Sequence, residues 1–250
     1  MGAEVQVDSV FTGQVAVVTG ASSGIGRAIA LALAQHGVAL YLVGRERQRM
    51  KPTAEAARAM GCHVWVQEAD LAHEKDIQEL VSHLTIEVGQ VDLLIHSAGV
   101  IARGATEVAP LEDLDRQYAI NIRAPYLLTQ RLLPMLKELK GQIVFVNSSV
   151  GLTARGGVGQ YAATKHALKA FAEALRDEVN PFGVRVLSIY LGRTATPMQA
   201  AVCESQGKAY SPEHLLQPKD VAEIVIAALH LPRTAEATEI SIRPMSKQAD

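Results

Sequence analysis

This sequence predicts an α/β fold, doubly wound on a seven-stranded, mostly parallel sheet with helices on both faces. Three observations carry that prediction. Seven short β-rich runs recur along the chain, most of them nearly continuous apolar segments, as expected of strands buried on both faces of a parallel sheet. Segments of helical period lie between them, and strand–helix alternation closes into such a sheet through right-handed crossovers. The third observation is the glycine-rich stretch "VTGASSGIG" (18–26), directly after the first apolar run.

The strands are expected at 15–19, 38–43, 63–67, 91–95, 142–147, 184–189 and 238–242. Between the first two, "IGRAIALALAQH" puts Ile25, Ile29, Ala32 and Leu33 near one helical stripe. "KDIQELVSHLTIEV" does the same with Ile77, Leu80, Val81, Leu84 and Val88. "DVAEIVIAALH" is the last such segment before the final strand. No linker or composition break divides the chain, so one domain is expected over 1–250, with 1–12 a loose tail. Residues 193–217 form the longest late connection, and a connection that long reads as a substrate lid.

Composition narrows the function classes. Of 250 residues, 48% are apolar and 20% charged, an ordinary balance for a soluble globular chain. A net charge of -2 supplies no bulk attraction for nucleic acid or an anionic membrane. The two cysteines, Cys62 and Cys203, stand far apart, which argues against a disulfide framework and for a reducing compartment. The long apolar tract near residue 35 is broken by Gln35, His36 and Gly37, so it reads as helix then strand and not as a membrane span. No basic segment followed by an apolar stretch opens the chain, and a cytoplasmic location is expected.

Gly20, Gly24 and Gly26 sit where a strand turns into a helix. Such a turn needs positive φ or a missing Cβ. It also lets the backbone approach a phosphate, with the free amides and positive end of the new helix facing the anion. Thr19, Ser22 and Ser23 add hydroxyl donors. The turn therefore reads as a dinucleotide cradle, the alternative being a helix entry with no ligand. The next strand ends "YLVGRER". An acid at its tip would take ribose hydroxyls, whereas a basic residue accommodates a 2′-phosphate. Gly44 followed by Arg45 favours NADP over NAD, the alternative being that Arg45 is a solvated surface charge.

"YAATK" (161–165) places Tyr161 and Lys165 four apart on one helical face. An ammonium beside a phenol favours the phenolate, so a lowered tyrosine pKa and a usable acid/base are expected. Ser148 ends the strand thirteen residues earlier, at the sheet edge where such folds bind ligands. Asn121 lies in a helical stretch between the fourth and fifth strands. By itself the Tyr–Lys spacing is common on amphipathic helices.

Taken in order, "TGASSGIG", "HSAG" (96–99), the Asn of "AINI", "NSS", "YAATK" and "LGRTATPM" (191–198) resemble the short-chain dehydrogenase/reductases over about Val15 to Ile242. The resemblance implies a Rossmann domain and a catalytic set of Asn121, Ser148, Tyr161 and Lys165. Tyr161 would exchange the proton, Ser148 would hold the substrate oxygen, Lys165 would lower the tyrosine pKa and hold the nicotinamide ribose, and Asn121 would hold a relay water. It implies cofactor contacts from Gly20, Ser22, Ser23, Gly24, Ile25, Gly26, Arg45, Asp70, Leu71, Ala98, Gly99, Tyr161, Lys165, Thr194 and Thr196. Asp70 would take the adenine amine, and the two threonines the carboxamide.

It also implies an NADP-dependent enzyme interconverting a carbonyl and a secondary alcohol, assembled as a homodimer or homotetramer through the helices carrying "YAATK" and "NIRAPYLL". Two departures from the family pattern involve three positions. His96 and Ser97 replace two asparagines, with His96 expected to be structural, and Leu191 replaces a proline. Val150, Leu152, Leu191, Met198 and Val202 are the expected pocket wall, with Arg103 and Arg155 as candidate anchors for an anion. No metal site is expected, the eight histidines being scattered. The rival reading is a non-catalytic NAD(P)-binding sensor on the same fold.

Overall fold

Val15–Thr19 (β1) is buried at every position because it lies inside the sheet, with a partner on each side. The structure, a computed structural model, describes residues 11–245. Ala39–Gly44 (β2) and Val64–Glu68 (β3) extend the sheet to one side of β1. Leu93–His96 (β4), Gln142–Ser148 (β5), Arg185–Leu191 (β6) and Glu239–Ile242 (β7) extend it to the other. The order is β3-β2-β1-β4-β5-β6-β7, and each pairing is parallel, where a mostly parallel sheet was expected.

Each crossover carries helix. Gly24–Gln35 (α1) follows β1, Arg47–Ala59 (α2) follows β2 and Glu74–Glu87 (α3) follows β3. Leu111–Tyr118 (α4) and Ala124–Glu138 (α5) separate β4 from β5, and Gly159–Val179 (α6) separates β5 from β6. Pro197–Ser205 (α7) and Pro218–Leu229 (α8) precede β7. Alternate residues of one strand feed opposite cores, as the pleat requires. Ala16 and Val18 pack with Ile29, Leu33, Met50 and Val225, while Val17 packs with Ile77, Leu80, Leu128 and Leu168. That two-sided burial explains why the strands read as unbroken apolar runs.

Two expectations move. β4 begins at Leu93, not at residue 91, because Asp92 is used differently. Its carboxylate accepts the Val15 amide at 2.8 Å, while its own amide donates to the Val15 carbonyl at 3.0 Å. The expected loose tail ends earlier than residue 12. Phe11 is fully buried, its ring 4.3 Å from His230 and 5.8 Å from His36, the residues that end α8 and α1. Residues 1–10 of that tail lie outside the described residues. The 193–217 segment, expected as a long connection, carries structure of its own. Thr194 pairs with Leu216, pinning its two ends together, and α7 and a 3-10 turn, Pro212–His214, lie between.

Candidate active site

The chain winds out from β1 to β3, then returns to pair β4 on the other side of β1. At such a switch point the crossovers diverge and leave a crevice beyond the strand ends. Thr19, buried at the tip of β1, closes its floor. Its Oγ1 donates to the Ile95 carbonyl at 3.2 Å and accepts the amides of Ser97 and Ala98 at 3.0 and 3.1 Å. This hydroxyl is committed to the sheet and corrects the expectation that it faces phosphate.

The glycines of the turn are sterically required. Gly20 adopts φ +68, and a Cβ there would stand 2.9 Å from Ala98 Cα. At Gly26 a Cβ would stand 2.4 Å from the Gly20 carbonyl oxygen, closer than any side chain tolerates. Ser23 enters α1 with extended backbone and no side-chain cap bond, and no acid stands in the first helical turn. The leading amides and two half-buried serines are thus left for an anion. This cradle fits a pyrophosphate. Gly26→Ala is expected to displace the Gly20 backbone, weakening nucleotide affinity about tenfold or more and destabilising the fold by about 1–3 kcal/mol. Nucleotide titration and thermal melting check both.

A cleft runs from this turn across the sheet. Gly20, Ser22, Ser23, Gly24, Ile25 and Gly26 form one wall, Arg45, Asp70 and Leu71 the next, and Ala98, Gly99 and Thr196 the rest. Tyr161, Lys165 and Thr194 do not line it. Thr194 is buried and donates its hydroxyl to the Gly192 carbonyl at 3.0 Å, while Thr196, which does line the cleft, donates its own to the Thr194 carbonyl at 3.3 Å. Asp70 lines the cleft, its carboxylate accepting the Ala72 amide at 3.0 Å. Arg49 and Ser97 also line the cleft and were missed. The signal for Arg49 was its place one helical turn beyond Arg45 in "RERQR". Glu46, between them in sequence, pairs with Arg49 at 3.4 Å, and Arg45 has no ion pair among the described residues.

The four expected catalytic side chains gather beyond the end of β5. Ser148 is its last residue; its hydroxyl accepts the Val150 amide at 3.4 Å and acts on the Tyr161 phenol. Tyr161 stands in the first turn of α6, which starts at Gly159. Lys165 is one turn on, buried, its Nζ donating to the Val146 carbonyl at 3.1 Å and lying 5.8 Å from the centre of the Tyr161 ring. Asn147 ties this helix to the strand: its Nδ2 donates to the Lys165 carbonyl at 3.2 Å while its Oδ1 accepts the Ser148 amide at 2.8 Å. Asn147 is a positioning residue that the sequence reading quoted without a role.

Asn121 lies in a π-helical turn, Ala119–Arg123, joining α4 to α5. Its Oδ1 accepts the Val100 amide and its Nδ2 donates to the Val100 carbonyl, each at 2.9 Å. The Nδ2 also donates to Thr164 Oγ1 at 3.1 Å, and that hydroxyl bonds the Tyr161 carbonyl at 2.8 Å. The side chain therefore clamps the β4 loop to the start of α6.

The electrostatics correct one expectation. Burial pushes the Tyr161 phenol up to about 12, the Ser148 hydrogen bond pulling the other way, and burial pushes Lys165 down to about 8. The phenol thus sits above its ordinary value, not below it. Desolvation disfavours both the phenolate and the ammonium that would stabilise it.

His96 is structural, as expected. It is buried, stacks on Phe145 at 4.9 Å, shares a 2.8 Å hydrogen bond with Thr129, and is held by burial at about 3. Leu191 is corrected: it is buried core at the end of β6, facing Ser148 across the ladder, and not pocket wall. Met198 does line the cleft. Among the described residues no helix is long and apolar enough to cross a membrane.

A dinucleotide cleft and a Ser–Tyr–Lys cluster at one sheet edge define an α/β oxidoreductase site. The chain belongs to the short-chain dehydrogenase family, whose model matches residues 14–207. Its members act on CH–OH groups with NAD(P). A Staphylococcus saprophyticus protein named as an uncharacterised oxidoreductase is 33% identical over 237 residues, spanning 93% of this chain and 97% of that one. The alcohol dehydrogenase of Thermococcus sibiricus, solved with 5-hydroxy-NADP, superposes with a TM-score of 0.86 at 27% identity, over 95% of this chain and 99% of that one. Actinorhodin polyketide ketoreductase, solved with NADPH, superposes at 0.84 and 28% identity, over 92% and 95%.

Proposed function

We propose that this protein is an NADP-dependent oxidoreductase interconverting a carbonyl and a secondary alcohol, with Tyr161 as the general acid/base. The observation that carries it is the cluster of Ser148, Tyr161 and Lys165 at the end of β5, beside the glycine cradle. The reduced nicotinamide, when bound, supplies the hydride to the carbonyl carbon. Ser148 donates a hydrogen bond to the carbonyl oxygen and Tyr161 Oη gives it a proton, completing the alcohol. A phenol held at about 12 stays protonated at neutral pH and is ready to act as the acid. Lys165 carries the positive charge that favours loss of that proton. Asn121 and Asn147 hold Tyr161 and Ser148 in register.

Arg45 and Arg49, at the far end of the cleft, favour a 2′-phosphate over bare ribose hydroxyls. Arg45→Glu is expected to raise the KM for NADPH about tenfold to hundredfold and to leave that for NADH nearly unchanged, since only the phosphate contact is removed. Initial rates with both coenzymes check it. The 193–217 segment serves as substrate lid in this reading, and the single domain is both dinucleotide-binding and catalytic. Assembly into a homodimer or homotetramer through α5 and α6 is part of the same proposal. It is supported by half-exposed Tyr126 on α5, which packs its ring 5.0 Å from Phe171 on α6. The decisive assay follows NADPH oxidation with a panel of ketones. Tight binding without turnover would favour the non-catalytic sensor.

A further inference from the structure

Two segments leave the cofactor cleft at neighbouring points and meet again farther out. One is the loop after β4, whose residues Ser97 to Val100 line the cleft, and the other is α7, which starts after Thr196. The loop is anchored by alternate residues. Val100 bonds Asn121, the Ala102 amide donates to Gln117 Oε1 at 3.0 Å, and the Gly104 amide donates to the Gly157 carbonyl at 3.1 Å, four residues before Tyr161. Arg103 therefore projects from a fixed backbone. It meets Gln206, the residue that ends α7, so it bridges two segments that both set out from the cofactor cleft.

The contact with Gln206 leaves the cation's strongest donors unused. With its carboxamide oxygen turned to the guanidinium, Gln206 lies 3.1, 3.3 and 3.2 Å from Nε, Nη1 and Nη2. Near-equal distances to all three nitrogens put that oxygen over the guanidinium face, not along one N–H fork. Among the described residues Arg103 forms no ion pair, and neither Glu107 nor Glu204, the acids nearest it on the two segments, approaches as one. Arg155, two residues before the Gly157 junction, is a second exposed cation without an ion pair. A planar fork with free edges is suited to bidentate capture of a carboxylate or phosphate.

We propose that Arg103 is a specificity-determining residue and that the substrate is an anionic carbonyl compound, its carboxylate or phosphate seated on Arg103 while its carbonyl meets Tyr161. This rests on the oxidoreductase reading above. The test measures initial rates of NADPH oxidation with pyruvate, acetoacetate and levulinate, each beside its methyl ester, and with dihydroxyacetone phosphate beside dihydroxyacetone. The wild type is expected to prefer the charged member of at least one pair about tenfold or more in kcat/KM. Whether that pair is a carboxylate or the phosphate identifies the group. Arg103→Ala is expected to remove that preference through KM with little change in kcat, Arg103→Lys to restore part of it, and Arg103→Glu to invert it. Equal use of charged and neutral members by the wild type, or equal losses on both in Arg103→Ala, overturns the inference while leaving the oxidoreductase reading intact. If no member of the panel is reduced, the inference fails, and NADPH binding followed by fluorescence then reports separately on the cofactor site.

Discussion

Tyr161→Phe is expected to lower kcat for carbonyl reduction about 10²–10⁴-fold, the range that a positioned proton donor contributes. The ring keeps its shape, and the hydroxyl removed interacts with the Ser148 side chain. The dissociation constant for NADPH should therefore stay within about threefold of wild type, and the melting temperature should not fall, because the buried phenol is a polar group whose loss leaves only a serine to rehydrate. Single-turnover kinetics beside nucleotide titration separate these outcomes. Full activity in the variant on a confirmed ketone would remove Tyr161 from the mechanism.

Lys165→Met carries the second large effect, with opposite signs for activity and stability. The ammonium is buried with a backbone carbonyl as its partner, and burial depresses it to about 8. Removing it should cost turnover about 10²-fold or more, since the charge that favours the phenolate is gone. Methionine fills a similar volume without a charge to desolvate, so the variant should match or exceed wild-type stability near pH 7. The pH dependence follows from linkage. Below about 8 Lys165 is charged in both states, and the burial cost is fully present. Between about 8 and the unfolded value near 10.5 the unfolded chain holds the proton and the folded one does not, so stability rises with pH. Denaturant midpoints of both proteins at pH 7 and 9.5 should therefore converge as pH rises. In the free enzyme the same titration should make kcat/KM for reduction fall as pH rises through about 8.

These two variants also show where the sequence reading stopped. The spacing in "YAATK" was enough to place Tyr161 and Lys165 on one helical face, and both fall there. Their proton affinities depend on how much water each keeps, which neighbours from β5 and the β4 loop decide. The expected lowering of the phenol was wrong for that reason. Thr19 and Thr194 were read as ligand-facing from residue type and motif position. Each instead donates its hydroxyl to a backbone carbonyl, Ile95 or Gly192.

Local pattern determined what depends on a residue and its near neighbours in the chain. The unbroken apolar runs marked strands covered on both faces, and three glycines marked a turn where a Cβ has no room. The basic tip of β2 marked one end of the cleft. What only the tertiary structure decided involves residues brought together from far apart. Phe11 is buried between the ends of α1 and α8, Leu191 lies in the core, Asn121 is bound on both amide atoms, and Arg103 meets Gln206 at the end of α7. Desolvation and hydrogen-bond saturation are properties of an assembled neighbourhood, and sequence spacing carries no record of either.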